Sequence, residues 1–204
     1  LMLSNGLKQT MTATGRSDNV IVIRNGAENE IQSGISREHA NIILSEPEVE
    51  RLDNNQPLAS LDTVVIVTLK KLSNDGVSNV TLRGVSSYLP QLRPDIRIVK
   101  GRVPNAGTRE VMVGESVQKK FAEVKLGDTI RLVGTDWPIV GVFSAGNTGF
   151  SSEIWGDVEI LKPSFRREMY SSLTFRLKSD NDLVDLKSKF ASDPRLNVSI
   201  EREN

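Results

Sequence analysis

Few residues in this chain could do chemistry. Its 204 residues include one histidine, His39, and no cysteine. Thiol catalysis, disulfides and zinc fingers are therefore excluded. A Ser-His-Asp triad would have to be built on His39. No serine has glycine at both −2 and +2, so the nucleophile elbow is missing; Ser144 has Gly146 after it but Val142 before it. No two glycines are separated by a single residue and no glycine precedes a lysine, which removes both common phosphate-binding glycine loops. Asp180, Asp182 and Asp185 begin like a calcium loop, yet the required glycine and terminal glutamate do not follow. They read instead as carboxylates at a helix start, where the dipole favours them. Glu46, Glu48 and Glu50 alternate as a solvated acidic run. No residue is assigned to catalysis, to a cofactor or to a metal, and no substrate-binding residue is identified.

The histidine lies in Ser36-Arg37-Glu38-His39-Ala40, with Gly15-Arg16-Ser17 upstream. This run resembles the signature of forkhead-associated domains, which bind phosphothreonine peptides. The resemblance implies phosphate contacts from Arg16 and Ser36, help from Arg37, and a loop braced by His39. An arginine fork and a hydroxyl suit a phosphate dianion. The same residues also spell a helix start, with Ser33 or Ser36 as cap and Glu38 early in the first turn.

Lysine plus arginine total 26 and aspartate plus glutamate total 26, so the formal charge is zero. That balance lacks the basic footprint of a nucleic-acid binder. Hydrophobic residues make up 38% and charged ones 25%, which places the chain among globular proteins. No apolar run reaches the roughly 20 residues that span a bilayer. The chain opens at Leu1 and reads as a piece of a longer protein.

The elements follow from periodicity. Leu3, Leu7 and Met11 share one helical face, and Gly15 would end that helix. Residues 20–24 (VIVIR) read as a strand rich in β-branched residues, closed by Asn25-Gly26. Residues 33–45 read as a helix, and Pro47 stops continuation. Residues 62–72 and 77–85 read as strands of one hairpin around Asn74-Asp75-Gly76. The texture then changes to short elements with frequent glycine or proline. Short strands are expected at 97–100 and 110–113, a helix at 115–122, and a hairpin of 129–133 with 137–143. The earlier grammar returns with a strand at 172–177, a helix near 181–191 capped by Asp180, and a strand at 196–201.

This pattern predicts an α+β fold. A porter-like lobe of two strand–helix–strand halves, ferredoxin-like in kind, is interrupted by a smaller, mostly β inserted lobe. The porter-like lobe takes residues 16–86 and 164–204, and the inserted lobe takes residues 87–163.

A second resemblance covers nearly the whole chain. Its most characteristic piece is Arg109-Glu110-Val111-Met112-Val113-Gly114 followed by Leu126-Gly127-Asp128-Thr129-Ile130. Trp137-Pro138-Ile139-Val140-Gly141-Val142-Phe143 and Ser152-Glu153-Ile154-Trp155-Gly156-Asp157 complete it. Upstream, Val80-Thr81-Leu82-Arg83-Gly84-Val85 and Val99-Lys100-Gly101-Arg102 belong to the same series. In order and spacing these resemble the periplasmic core domain of MacB-like ABC transporter permeases. The resemblance implies a non-catalytic extracytoplasmic domain with no cofactor, transmitting ATP-driven movement. Residues 1–15 would be the outer end of the first membrane helix. The implied partners are a cytoplasmic ATPase, a second permease copy and a periplasmic adaptor, with no nucleic acid. The implied location is the periplasmic side of a bacterial inner membrane.

Overall fold

The structure is a computed structural model and describes residues 19–203. The helix expected over residues 1–15 lies outside that range, as does Arg16. Ten strands and four α-helices build a mixed sheet with the order β10-β1-β9-β2-β3-β8-β5-β7-β4; β6 attaches to β7. Among the described residues no helix is long and apolar enough to cross a membrane.

Strand β1 (Asn19–Arg24) buries Val20 and Val22 completely. The chain then turns through Gly26, which takes φ +83°. Helix α1 is shorter than the predicted 33–45 and covers Arg37–Leu44. A 3-10 turn forms earlier, at Glu30–Gln32, where the Asn29 side chain accepts from the Gln32 amide. Between the two, Ile35 bridges to Tyr170 in extended conformation. Tertiary pairing at Ile35 therefore displaces the first predicted helical turn.

Strand β2 (Ala59–Lys70) changes partner along its length. Residues 59–62 pair with β9 (Ser172–Arg176), and residues 63–70 pair with β3 (Val77–Val85). Helix α4 (Asp182–Ser192) and β10 (Val198–Arg202) close the chain. Strand β9 lies between β1 and β2, and β1 lies between β9 and β10, all antiparallel. Each strand–helix–strand half is thus split by a strand of the other, which is the ferredoxin-like arrangement. Its core holds Ile43, Leu44, Leu173, Phe175, Leu186 and Phe190.

The remaining strands are β4 (Arg97–Gly101), β5 (Val111–Gly114), β6 (Thr129–Leu132), β7 (Thr135–Ser144) and β8 (Glu153–Asp157). Helices α2 (Glu115–Lys120) and α3 (Val158–Ser164) pack with them. Their core joins Val113, Trp137 and Ile139 to Val65, Val67, Val80 and Leu82 of the β2–β3 hairpin. Twelve residues of β2, about 40 Å at strand rise, therefore run from one core into the other. A third, small cluster joins Met112, Phe143, Phe150 and Trp155.

Strand β8 and helix α3 were not among the predicted elements. Pro163 argues against a helix in the sequence, yet it sits in the last turn, so the hydrogen bond its missing amide removes is lost next to the helix end and not in its middle. Asp157 caps the other end by accepting from the Glu159 amide at 2.9 Å.

Gly141 stands opposite Gly101 where β4 meets β7. A Cβ at Gly141 would lie 2.1 Å from the Arg102 carbonyl oxygen. Gly141→Ala is expected to destabilise the protein by about 1–3 kcal/mol through this overpacking. Urea unfolding with an unchanged m-value would check it.

Candidate functional site

The strongest chemical feature is a buried ionic junction, built from five separate stretches of chain. Asp62 on β2 is fully buried, and Ser60 on the same strand donates to its Oδ1 at 2.6 Å. Arg83 on β3 donates to its Oδ2 at 3.1 Å, and Arg93, in the segment after β3, donates to the same oxygen at 2.8 Å. Arg83 also grips two glutamates, each through two bonds. Its Nε and Nη2 donate to Glu153 at 2.7 and 3.1 Å. Its Nη1 and Nη2 donate to Glu30 at 2.7 and 3.1 Å. All five N–H donors of this guanidinium are satisfied.

The outer ring of the junction fixes those carboxylates. Ser172 on β9 donates to Glu30 at 2.7 Å, and the Trp155 indole donates to Glu153 at 2.8 Å. Phe150 faces both guanidinium groups, 5.2 Å from Arg83 and 5.3 Å from Arg93. Strands of the ferredoxin-like half thereby meet β8 and the Phe150 turn through one arginine.

Burial pushes the Asp62 carboxyl up, but Arg93, Arg83 and the Ser60 hydroxyl outweigh it and hold it below the usual range. For Glu30 burial likewise acts upward and is outweighed by Arg83 and Ser172. Glu203, at the end of the described chain, goes the other way: burial raises it despite Arg93 and its bond from Asn19.

The signs of these shifts predict the pH profile. Depressed carboxyls contribute stability above their unfolded pKa of about 4 and lose it as pH falls through the folded value. Glu203 contributes most when protonated and loses its share as pH rises from about 4 through its raised folded value. Stability is expected to climb out of acid and then decline slightly, and Glu203→Gln should remove only the decline. Urea midpoints between pH 3 and 8 would show this.

A second polar contact ties α1 to α3. Arg37 donates to Glu159 at 2.7 Å, and the Tyr170 hydroxyl donates to the other oxygen at 2.6 Å. The Tyr170 ring lies between the Arg37 guanidinium at 5.4 Å and the Lys162 ammonium at 3.9 Å. Burial lowers the Lys162 pKa, against the attraction of Glu159.

The residues picked out by sequence have structural roles. Ser36 caps α1, accepting from the His39 amide at 3.1 Å, and Arg37 serves the Glu159 contact. The phosphopeptide alternative is thereby corrected: its motif forms a helix start in a split strand–helix–strand lobe, where a forkhead-associated domain is a β-sandwich. Asp180 does not cap α4; Asn181 occupies that position without a side-chain bond, and Asp182 accepts from the Ser179 amide. Lys189 on α4 pairs with Glu46 and Glu48. Among the described residues no group of three or more His, Asp or Glu is arranged to hold a metal ion.

This geometry joins one part of the fold to another, and comparison with known proteins identifies the family. The family model of the MacB-like periplasmic core domain matches residues 1–192. The chain belongs to this family. It is a non-catalytic, extracytoplasmic domain of a MacB-like ABC transporter permease, on the periplasmic side of an inner membrane. Two solved structures share its fold. The extracellular domain of the noncanonic ABC-type transporter YknZ from Gram-positive bacteria aligns with a TM-score of 0.62 at 14% identity, over 90% of this chain and all of that one. The periplasmic region of MacB from Actinobacillus actinomycetemcomitans aligns with a TM-score of 0.65 at 12% identity, over 97% and 94%. No curated protein sequence matches the chain. For a MacB-like core domain, a cytoplasmic ATPase partner and contacts with further copies or an adaptor follow from the family.

Proposed function

We propose that this MacB-like domain works as a rigid arm, carrying ATP-driven movement from the membrane to a substrate or partner outside it. The observation that supports this is the junction at Arg83. It binds the two cores where the long β2–β3 hairpin crosses between them, so displacement of one lobe moves the other. Coupling of distant sites requires such stiff elements. In this reading residues 16–86 with 164–204 form the lobe that receives the motion, and residues 87–163 form the lobe that delivers it. The partners are a cytoplasmic ATPase, a second permease copy and a periplasmic adaptor.

The native chain has no cysteine, so introduced pairs can be cross-linked without background. Locking the two permease copies together outside the membrane is expected to stop transport and to leave it recoverable by reduction. Undiminished transport in the locked state would refute the mechanism.

A further inference from the structure

A cavity of about 80 Å³ lies between the segment after β3 and the sheet. Leu92, Ile96, Met112 and Trp155 form apolar walls, and the half-exposed Ile98 and Val103 also line it. One water needs roughly 15 Å³, so the cavity admits a chain of a few carbons. Two polar side chains also line it. Arg93 is more than nine-tenths buried, and its Nε and Nη1 have no hydrogen-bond partner. The Tyr88 hydroxyl is sealed from solvent and equally without one. Buried polar groups are normally paired, and the two residues that carry these unmet groups line one cavity.

The unmet groups define the ligand. Guanidinium N–H groups only donate. The Tyr88 phenol, raised by burial and by Asp157 and Asp62, stays protonated and can donate too. An acceptor is therefore required. Around Arg93 and Arg83 stand Glu30, Asp62 and Glu153, so the two cations already face three carboxylates. A further full anion would meet that surplus; a neutral carbonyl oxygen would not.

Position supplies the source. Leu92, in the cavity wall, accepts from Asn19 at the start of β1 at 2.8 Å, and Asn19 also donates to Glu203. Both described ends of the domain thus lie beside the cavity. This step rests on the proposed function, in which the domain takes its movement from the membrane.

We infer that the cavity binds the carbonyl end of a short acyl chain, an uncharged ester or amide whose tail lies along Leu92, Ile96, Met112 and Trp155. The ester of a membrane lipid and that of a soluble acylated cargo share this chemistry.

Trp155 reports the site directly, and a Trp137→Phe background removes the only other indole. Titration with 1-hexanoylglycerol is expected to change Trp155 fluorescence saturably, and hexanoate to bind more weakly. Tyr88→Phe should weaken the ester about two- to tenfold, the worth of one hydrogen bond. Val103→Asp, at a position 41% exposed, should weaken it about tenfold or more without unfolding the chain. The same signal with neutral phosphatidylcholine vesicles assigns the ester to lipid; a signal with the free ester alone assigns it to cargo. No saturable change, an unaltered response in Val103→Asp, or preference for hexanoate would overturn the assignment. None of these readouts involves transport, so its failure and that of the rigid-arm reading are told apart.

Discussion

Replacing Arg83 with methionine is expected to destabilise the domain by about 3–5 kcal/mol, one of the two largest effects of any single change considered. Methionine preserves the apolar stem and removes the charge. Glu30 and Glu153 then lose the buried arginine that pairs with both, while Asp62 keeps Arg93. The cost arises mainly from carboxylates left unpaired out of water. In a chain of this size the change corresponds to a melting temperature lower by about 6–20 °C. Two further variants isolate the cause. Arg83→Lys keeps a positive charge but offers three donors from a point, against five in a planar fork. It should recover only part of the loss. Adding Glu30→Gln and Glu153→Gln to Arg83→Met removes the stranded charges and should recover more. If the triple variant shows no recovery, packing rather than charge governs the junction.

Trp155→Ala ranks next, with an expected cost of about 3–5 kcal/mol. The indole is 1% exposed and packs against Phe143 and Phe150, each with ring centroids 5.3 Å away. It also stands 5.1 Å from the Arg93 guanidinium. Truncation opens a cavity and releases the Glu153 carboxylate from its indole donor. Trp155→Phe separates the two contributions. It keeps the six-membered ring and loses the bond to Glu153 with a smaller part of the volume, for about 1–2 kcal/mol. Denaturant unfolding of both variants provides the measurement; equal costs would mean that the hydrogen bond outweighs the volume.

The local elements were more legible than the junction. The β3 bounds, 77–85, are as predicted, because alternation and the Asn74-Asp75-Gly76 turn act within a few residues. The same holds for β9 and α4 to within a residue. Helix α3 was hidden because Pro163 reads as a breaker, and whether it falls in the middle or at the end of a helix depends on where that helix begins. The junction was less visible still. Asp62 and Arg83 each interrupt an apolar strand, which is a signal available without a structure. Their common partners are not: Glu30 is 53 residues from Arg83, and Glu153 is 70 residues away. Such pairing depends on how the two halves interleave. Gly141 shows the opposite case: a glycine inside a strand signals close backbone approach from sequence alone, and the Arg102 carbonyl makes that approach.

The pairing of β1 with β10 sets a limit on the loads this arm can bear. Val20 faces Arg202, and the Glu203 amide donates to Asn19 at 3.0 Å, so the two ends leave as antiparallel neighbours. Force that separates Asn19 from Glu203 meets this ladder one hydrogen bond at a time, as a zipper opens. Force that moves both ends together does not load the ladder at all. The attachment is therefore strong in concerted thrust and weak in splaying, and a motion that spreads the two ends would peel the domain before moving it.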